Sequence, residues 1–189
     1  MNRVTKVALV AACAATAILP CTINAQENDA AQNLKIESFF GYKFGDQGKP
    51  GDTKYERPKK NFRLFDRVEL GYTFKVGLLN QVKLTYCAKA ESFKSQEMLD
   101  EIEAVKGVLE KKYGITFKGG RSKKFNGVKV SYWFKNDHCC IDLDGCQPFG
   151  GNTSMELQVL SLDAYAMEQE KLDAAKKARN AGDGGADLL

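Results

Sequence analysis

Hydrophobic residues recur along this chain with two different periods. Over residues 68–76 they alternate: Val68, Leu70, Tyr72, Phe74 and Val76 fall on one side, with Glu69, Gly71, Thr73 and Lys75 on the other. A period of two predicts a strand with one buried and one wet face. Residues 77–80 turn the chain. Val82, Leu84 and Tyr86 then continue the apolar face, opposite Gln81, Lys83, Thr85 and Cys87, so the two runs read as a hairpin. Residues 36–44 alternate in the same way and predict another strand, with Ile36, Ser38, Phe40, Tyr42 and Phe44 on one side.

A further alternation, Val128, Val130, Tyr132 and Phe134, is followed by a turn at Asn136-Asp137. Pairing Phe134 with Cys139 and Tyr132 with Ile141 puts Cys139, Ile141 and Leu143 on the apolar face. Cys140 then falls outside, beside Trp133. A short strand is expected at 115–118. The last one spans 155–161, with Met155, Leu157 and Val159 inward.

Helical spacing appears twice. Met98, Ile102, Val105, Leu109 and Tyr113 make an apolar stripe over 95–113, with Ser95 as N-cap, Glu97 in the first turn, Lys111 and Lys112 in the last, and Gly114 as terminator. Such a stripe packs against a sheet. Residues 162–179 predict a second helix with acids early and bases late, which suits its dipole. Its apolar stripe is thin, so its end is expected to project.

Between these elements, 45–61 reads as a long loop holding Gly48, Pro50, Gly51 and Pro58 among charges, and 119–126 as a basic loop. Residues 145–154 read as a loop, 26–34 as a flexible leader and 181–189 as a disordered tail. The expected fold is α+β, one domain over 35–180. It is a two-layer sandwich, an antiparallel β-sheet with helices packed on one face. The strand-then-helix order of 82–113 is echoed in 155–179.

The start of the chain changes this picture. Arg3 and Lys6 precede an apolar run over 7–19, followed by Pro20 and the small-residue triplet Ile23-Asn24-Ala25. That order is a secretory signal peptide over 1–25, with a run too short to cross a bilayer. Processing before Gln26 leaves 26 basic and 24 acidic residues, a net charge of +2, too mild to imply nucleic acid. Lipidation at Cys21 is the alternative, opposed by Pro20 where a small residue belongs. Export carries Cys87, Cys139, Cys140 and Cys146 into an oxidising compartment, where four cysteines suggest two disulfides. Face parity favours Cys87 with Cys140, and leaves Cys139 with Cys146.

Candidate chemistry is sparse. His138, the only histidine, stands near Cys139, Cys140 and Cys146, but adjacent cysteines on one strand point apart and make poor zinc ligands. Residues 142–145, Asp-Leu-Asp-Gly, resemble part of a calcium loop. Aligning Gly145 with the loop glycine puts Cys140 and Gly151 where acids belong, so that reading fails. No metal or cofactor is expected. There is no Gly-x-Ser-x-Gly, phosphate loop or dinucleotide fingerprint. Glu37 and Glu69 sit on wet faces, as ordinary surface acids do. Asn152-Thr153-Ser154 matches a glycosylation sequon. Two basic clusters are candidate sites for an acidic glycan, a lipid head group or an envelope protein: Lys54, Arg57, Lys59 and Lys60, and Lys118, Arg121, Lys123 and Lys124.

The segments Phe40-Gly41-Tyr42-Lys43-Phe44-Gly45, Tyr72-Thr73-Phe74 and Leu109-Glu110-Lys111-Lys112-Tyr113-Gly114 resemble those of small exported bacterial envelope modules. The resemblance implies a periplasmic or surface location and transfers no catalytic residue. The functional expectation is an exported, disulfide-stabilised, non-catalytic envelope module that binds or scaffolds another component. The rivals are a small exported enzyme, with a site where loop 45–61 meets His138, and an exported inhibitor of a hydrolase.

Overall fold

A computed structural model describes residues 31–88, 95–124, 127–148 and 151–183, without the side chains of Ser95, Lys123, Lys124 and residues 181–183. The expected signal peptide, the leader up to residue 30 and the tail from 184 lie outside the described residues.

The protein is α+β with the sheet dominant. Its strands are β1 Ser38–Phe39, β2 Tyr42–Lys43, β3 Thr53–Glu56, β4 Arg67–Tyr72, β5 Leu79–Ala88, β6 Lys118–Lys124, β7 Gly127–Lys135, β8 Cys139–Pro148 and β9 Thr153–Ser161. Its named helices are α1 Ser95–Tyr113 and α2 Asp163–Asp183. β1 and β2 form a small sheet, and the other seven strands form one antiparallel sheet in the order β3-β4-β5-β9-β8-β7-β6. The order has an internal symmetry: β3-β4-β5 followed by α1 is matched by β7-β8-β9 followed by α2. The two meanders meet where β5 pairs with β9.

The inner face carries Val68 and Leu70 of β4, Val82 and Leu84 of β5, Met155, Leu157 and Val159 of β9, and Cys139, Ile141 and Leu143 of β8, all buried. Met98, Ile102, Val105 and Leu109 of α1 join the same core. α1 crosses β8 at Gly145, where a Cβ would stand 2.0 Å from Ile102 Cδ1. A side chain there would force Ile102 out of its present position, so glycine lets this strand and the helix approach closely.

Several boundaries differ from the sequence reading. Residues 36–44 are not one strand: Phe40 (φ 49) and Gly41 (φ 87) form a tight turn between β1 and β2, so Phe39 rather than Phe40 is fully buried. Both central residues of that turn have positive φ, as a two-residue hairpin of this hand requires. β3 lies inside the expected loop 45–61, and the expected basic loop 119–126 is mostly edge strand β6. β8 runs on to Pro148 and β9 starts at Thr153, shortening the expected loop 145–154.

The β7–β8 register is shifted by two residues, pairing Phe134 with Ile141 and Tyr132 with Leu143. The cause is Asn136, whose Oδ1 accepts from the His138 and Cys139 amides and widens the turn. A shift of two preserves the faces. The Asn136 amide also donates to the carbonyls of Ala31 and Leu34 at 2.9 Å, so the end of the expected flexible leader is held against the domain.

Candidate functional site

Strand parity and strand order together build the second face of the sheet. It carries Gln81, Lys83, Thr85 and Cys87 from β5, Ser154, Glu156, Gln158 and Leu160 from β9, Cys140, Asp142, Asp144 and Cys146 from β8, and Lys129, Ser131, Trp133 and Lys135 from β7. All are half-buried or exposed. Lys129, Asp144, Cys146, Ser154 and Glu156 line an open depression of about 220 Å³ on this face.

The electrostatics of the face are mixed. Asp144 and Glu156 stand directly opposite each other on β8 and β9. Burial, and then the Asp144 charge, raise the Asp142 carboxyl above its ordinary value against a hydrogen bond from the Cys140 thiol. Asp144 Oδ1 is buried and meets no hydrogen-bond partner among the described residues. Lys83 is already engaged, its ammonium 2.8 Å from Glu69. Burial pushes that lysine's pKa down, but the Glu69 hydrogen bond and charge outweigh it and the net shift is upward. The acids of the face come from β4, β8 and β9, while Lys129 of β7 joins Asp144 and Glu156 in the depression. No cluster of three or more metal-ligating side chains occurs among the described residues.

The four cysteines expected to pair are free thiols. Cys87 and Cys146 both flank Ser154 on the outer face, about 10 Å apart across two strand spacings. Cys140 lies six residues further along β8 from Cys146, about 20 Å away. Cys139 and Cys146 are seven residues apart on one strand and face opposite ways. A disulfide needs Cα atoms within about 7 Å, so neither expected pair, Cys87–Cys140 or Cys139–Cys146, is formed in this sheet. Parity placed Cys87 and Cys140 outward correctly, but Cys146, read as part of a loop and paired with inward Cys139, is outward too; parity also carried no information about distance along the strand.

His138, the histidine of the rival enzyme reading, is engaged with the start of α2. His138 Nδ1 lies 2.8 Å from Asp163 Oδ1, a contact that ties the start of α2 to the β7–β8 turn. The neighbouring Cys139 thiol is pushed up to about 11, by burial first and then by Cys140 and Asp163. A nucleophilic cysteine needs the opposite shift.

The two basic clusters are at opposite edges. Lys54 is on edge strand β3, paired with Glu56 at 2.9 Å. Arg57, Lys59 and Lys60 follow it, with Lys59 Nζ 4.4 Å from the Tyr42 ring centroid. Lys118, Arg121, Lys123 and Lys124 belong to the other edge strand, β6, where the last two side chains are outside the described part. Six strand spacings, about 29 Å, separate the edges. Basic side chains on an exposed edge strand discourage pairing with other chains, which gives Lys54 and the β6 cluster a structural role.

Sequence reasoning missed the assembled face because it depends on β5 lying next to β9, a pairing no local pattern announces. Compared with known protein families, with curated proteins and with solved structures, the chain matches none. No described helix is long and apolar enough to cross a membrane.

Proposed function

We propose that this protein is an exported, non-catalytic module of the cell envelope that binds another envelope component through the open face of its sheet. The reading takes the fold as a two-layer sandwich with helices on one face only. The observation that carries it is the buried, unpartnered Asp144 Oδ1 in the open depression, opposite Glu156. A buried acceptor left without a partner costs roughly 1–3 kcal/mol, and a ligand donor offsets that cost. Burial raises the Cys139 and Cys140 thiols, which does not favour either as a nucleophile, and the basic edges have a sufficient role in preventing edge pairing. Binding is therefore assigned to the face between the edges.

Cosedimentation of the mature protein with isolated envelope fragments tests this. Reversing charge on the face, in D144K/E156K, is expected to abolish binding, whereas serine at Lys118, Arg121, Lys123 and Lys124 is expected to leave it. If the edge variant loses binding and the face variant keeps it, the binding surface is the basic edge and the assignment is wrong.

A further inference from the structure

One row of side chains crosses almost the whole open face. Cross-strand pairing places Trp133 opposite Asp142, Asp142 opposite Gln158, Gln158 opposite Lys83, Lys83 opposite Glu69, and Glu69 opposite Tyr55. The row has an aromatic ring at each end and four hydrogen-bonding groups between. Five strand spacings give it a span of about 24 Å.

Both rings are presented to solvent. Tyr55 is 73 % exposed and Trp133 45 %. Trp133 has a seat on its other side: Gly119 of β6 has φ +111, and a Cβ there would stand 2.7 Å from the ring's Cζ3. Glycine lets the indole rest on the edge-strand backbone. The exposed remainder of the ring is a fixed apolar platform on an otherwise polar face.

We propose that this row binds an extended, neutral polysaccharide, with sugar rings stacked on Trp133 and Tyr55 and hydroxyls hydrogen-bonded to the groups between. The proposal rests on the binding-face reading above and names its ligand. An aromatic face is electron-rich and attracts the weakly positive C–H groups on one side of a sugar ring. Carboxylate, amide and ammonium groups in the row supply acceptors and donors for hydroxyls. The middle of the row does not favour a polyanion: Asp142, Glu69 and the adjoining Asp144 and Glu156 oppose it and Lys83 is already paired with Glu69, while Lys118, opposite Trp133, and Lys129 and Lys135 of β7 lie to one side. Strand twist turns the row by roughly 20–25° per strand, so its ligand is a single chain able to follow the twist rather than a flat crystalline surface.

Trp133 is the only tryptophan in the chain, so its emission reports directly on this platform. The test is fluorescence titration and affinity electrophoresis of the mature protein against a panel of soluble neutral polysaccharides, with heparin and polylysine as charged probes. Binding of a neutral member should shift the emission to the blue and protect it from iodide. W133A and Y55A should each weaken retardation about tenfold, and W133F should keep most of it, with unchanged circular dichroism for all three. Three results overturn the proposal: no retardation by any neutral polysaccharide, retardation by heparin or polylysine alone, or retardation unchanged in both W133A and Y55A. If W133A and Y55A still bind envelope fragments while D144K/E156K does not, the glycan is wrong and the binding face stands.

Discussion

The Glu168 carboxylate accepts a hydrogen bond of 2.6 Å from the amide of Val76, 92 residues earlier in the chain. The same oxygen accepts from the Lys75 amide at 2.8 Å. Glu168 is 8 % exposed, and these contacts fasten α2 across the turn between β4 and β5. From Gln169 onward almost every described helical residue is exposed, so this one side chain marks where the helix leaves the domain.

The fastening is pH-dependent. Burial would raise the Glu168 carboxyl, but hydrogen bonds from Thr73, Val76 and Lys75 hold it below the ordinary carboxylate value. A depressed folded-state pKa contributes stability that is present above the unfolded value, near 4.5, and lost as pH falls through the folded value. Glu168→Gln is expected to destabilise at pH 7 by about 1.5–3 kcal/mol, since hydrogen bonds to a charged group are at stake. The difference from wild type should shrink toward pH 3. Urea melts across pH 3–7 measure it; a constant difference would contradict the assignment.

Gly107 within α1 and Gly114 just past its end should respond to substitution in opposite directions. Gly107 is in the helix interior and exposed, and a Cβ there meets nothing within 4 Å. Gly107→Ala is expected to stabilise by about 0.5–1 kcal/mol. Gly114 also has open space, but its φ is +63, the left-handed cap that ends the helix. Gly114→Ala is expected to cost about 1 kcal/mol. Thermal melts of the two single variants settle both signs.

Thiol chemistry tests the sheet itself. Iodoacetamide followed by intact mass should find four reactive thiols in the denatured, unreduced mature protein. In the native protein Cys87, the exposed one, should react first. Cys139 should react last, because its thiol is buried and pushed up to about 11. Peptide mapping that found Cys87 joined to Cys140 would require a different arrangement of β5, β8 and β9.

The sequence made the strictly periodic elements visible. β5, β7, β9 and α1 were legible because each alternates or repeats over enough residues to define a face; β4 was legible only as far as Tyr72, for beyond it the alternation to Val76 fails, with Thr73 buried and Phe74 79 % exposed. β6 was not, because Lys118–Lys124 contains no apolar residue and is held by its backbone pairing with β7. β3 was hidden for a similar reason, with Tyr55 its only large apolar side chain and that one pointing to solvent. The Phe40-Gly41 turn escaped notice because a phenylalanine gives no hint of positive φ. For the candidate site, parity correctly placed Glu69, Lys83, Cys87 and Cys140 on the wet side. The row from Trp133 to Tyr55 could not be foreseen, since it needs the order of six strands.

The junction of β5 with β9 has a consequence for how the chain folds. Its register joins Gln81 to Leu160 and Ala88 to Thr153, whereas β7 and β8 close over a few residues, from Lys135 to Cys140. Loop closure grows costlier with chain length, so each local meander can assemble before the two halves meet. Until they do, the middle of the native sheet consists of two raw edges. One of these, β9, has no lysine or arginine to discourage a foreign strand. The newly made chain is most exposed to self-association in the interval before that seam closes.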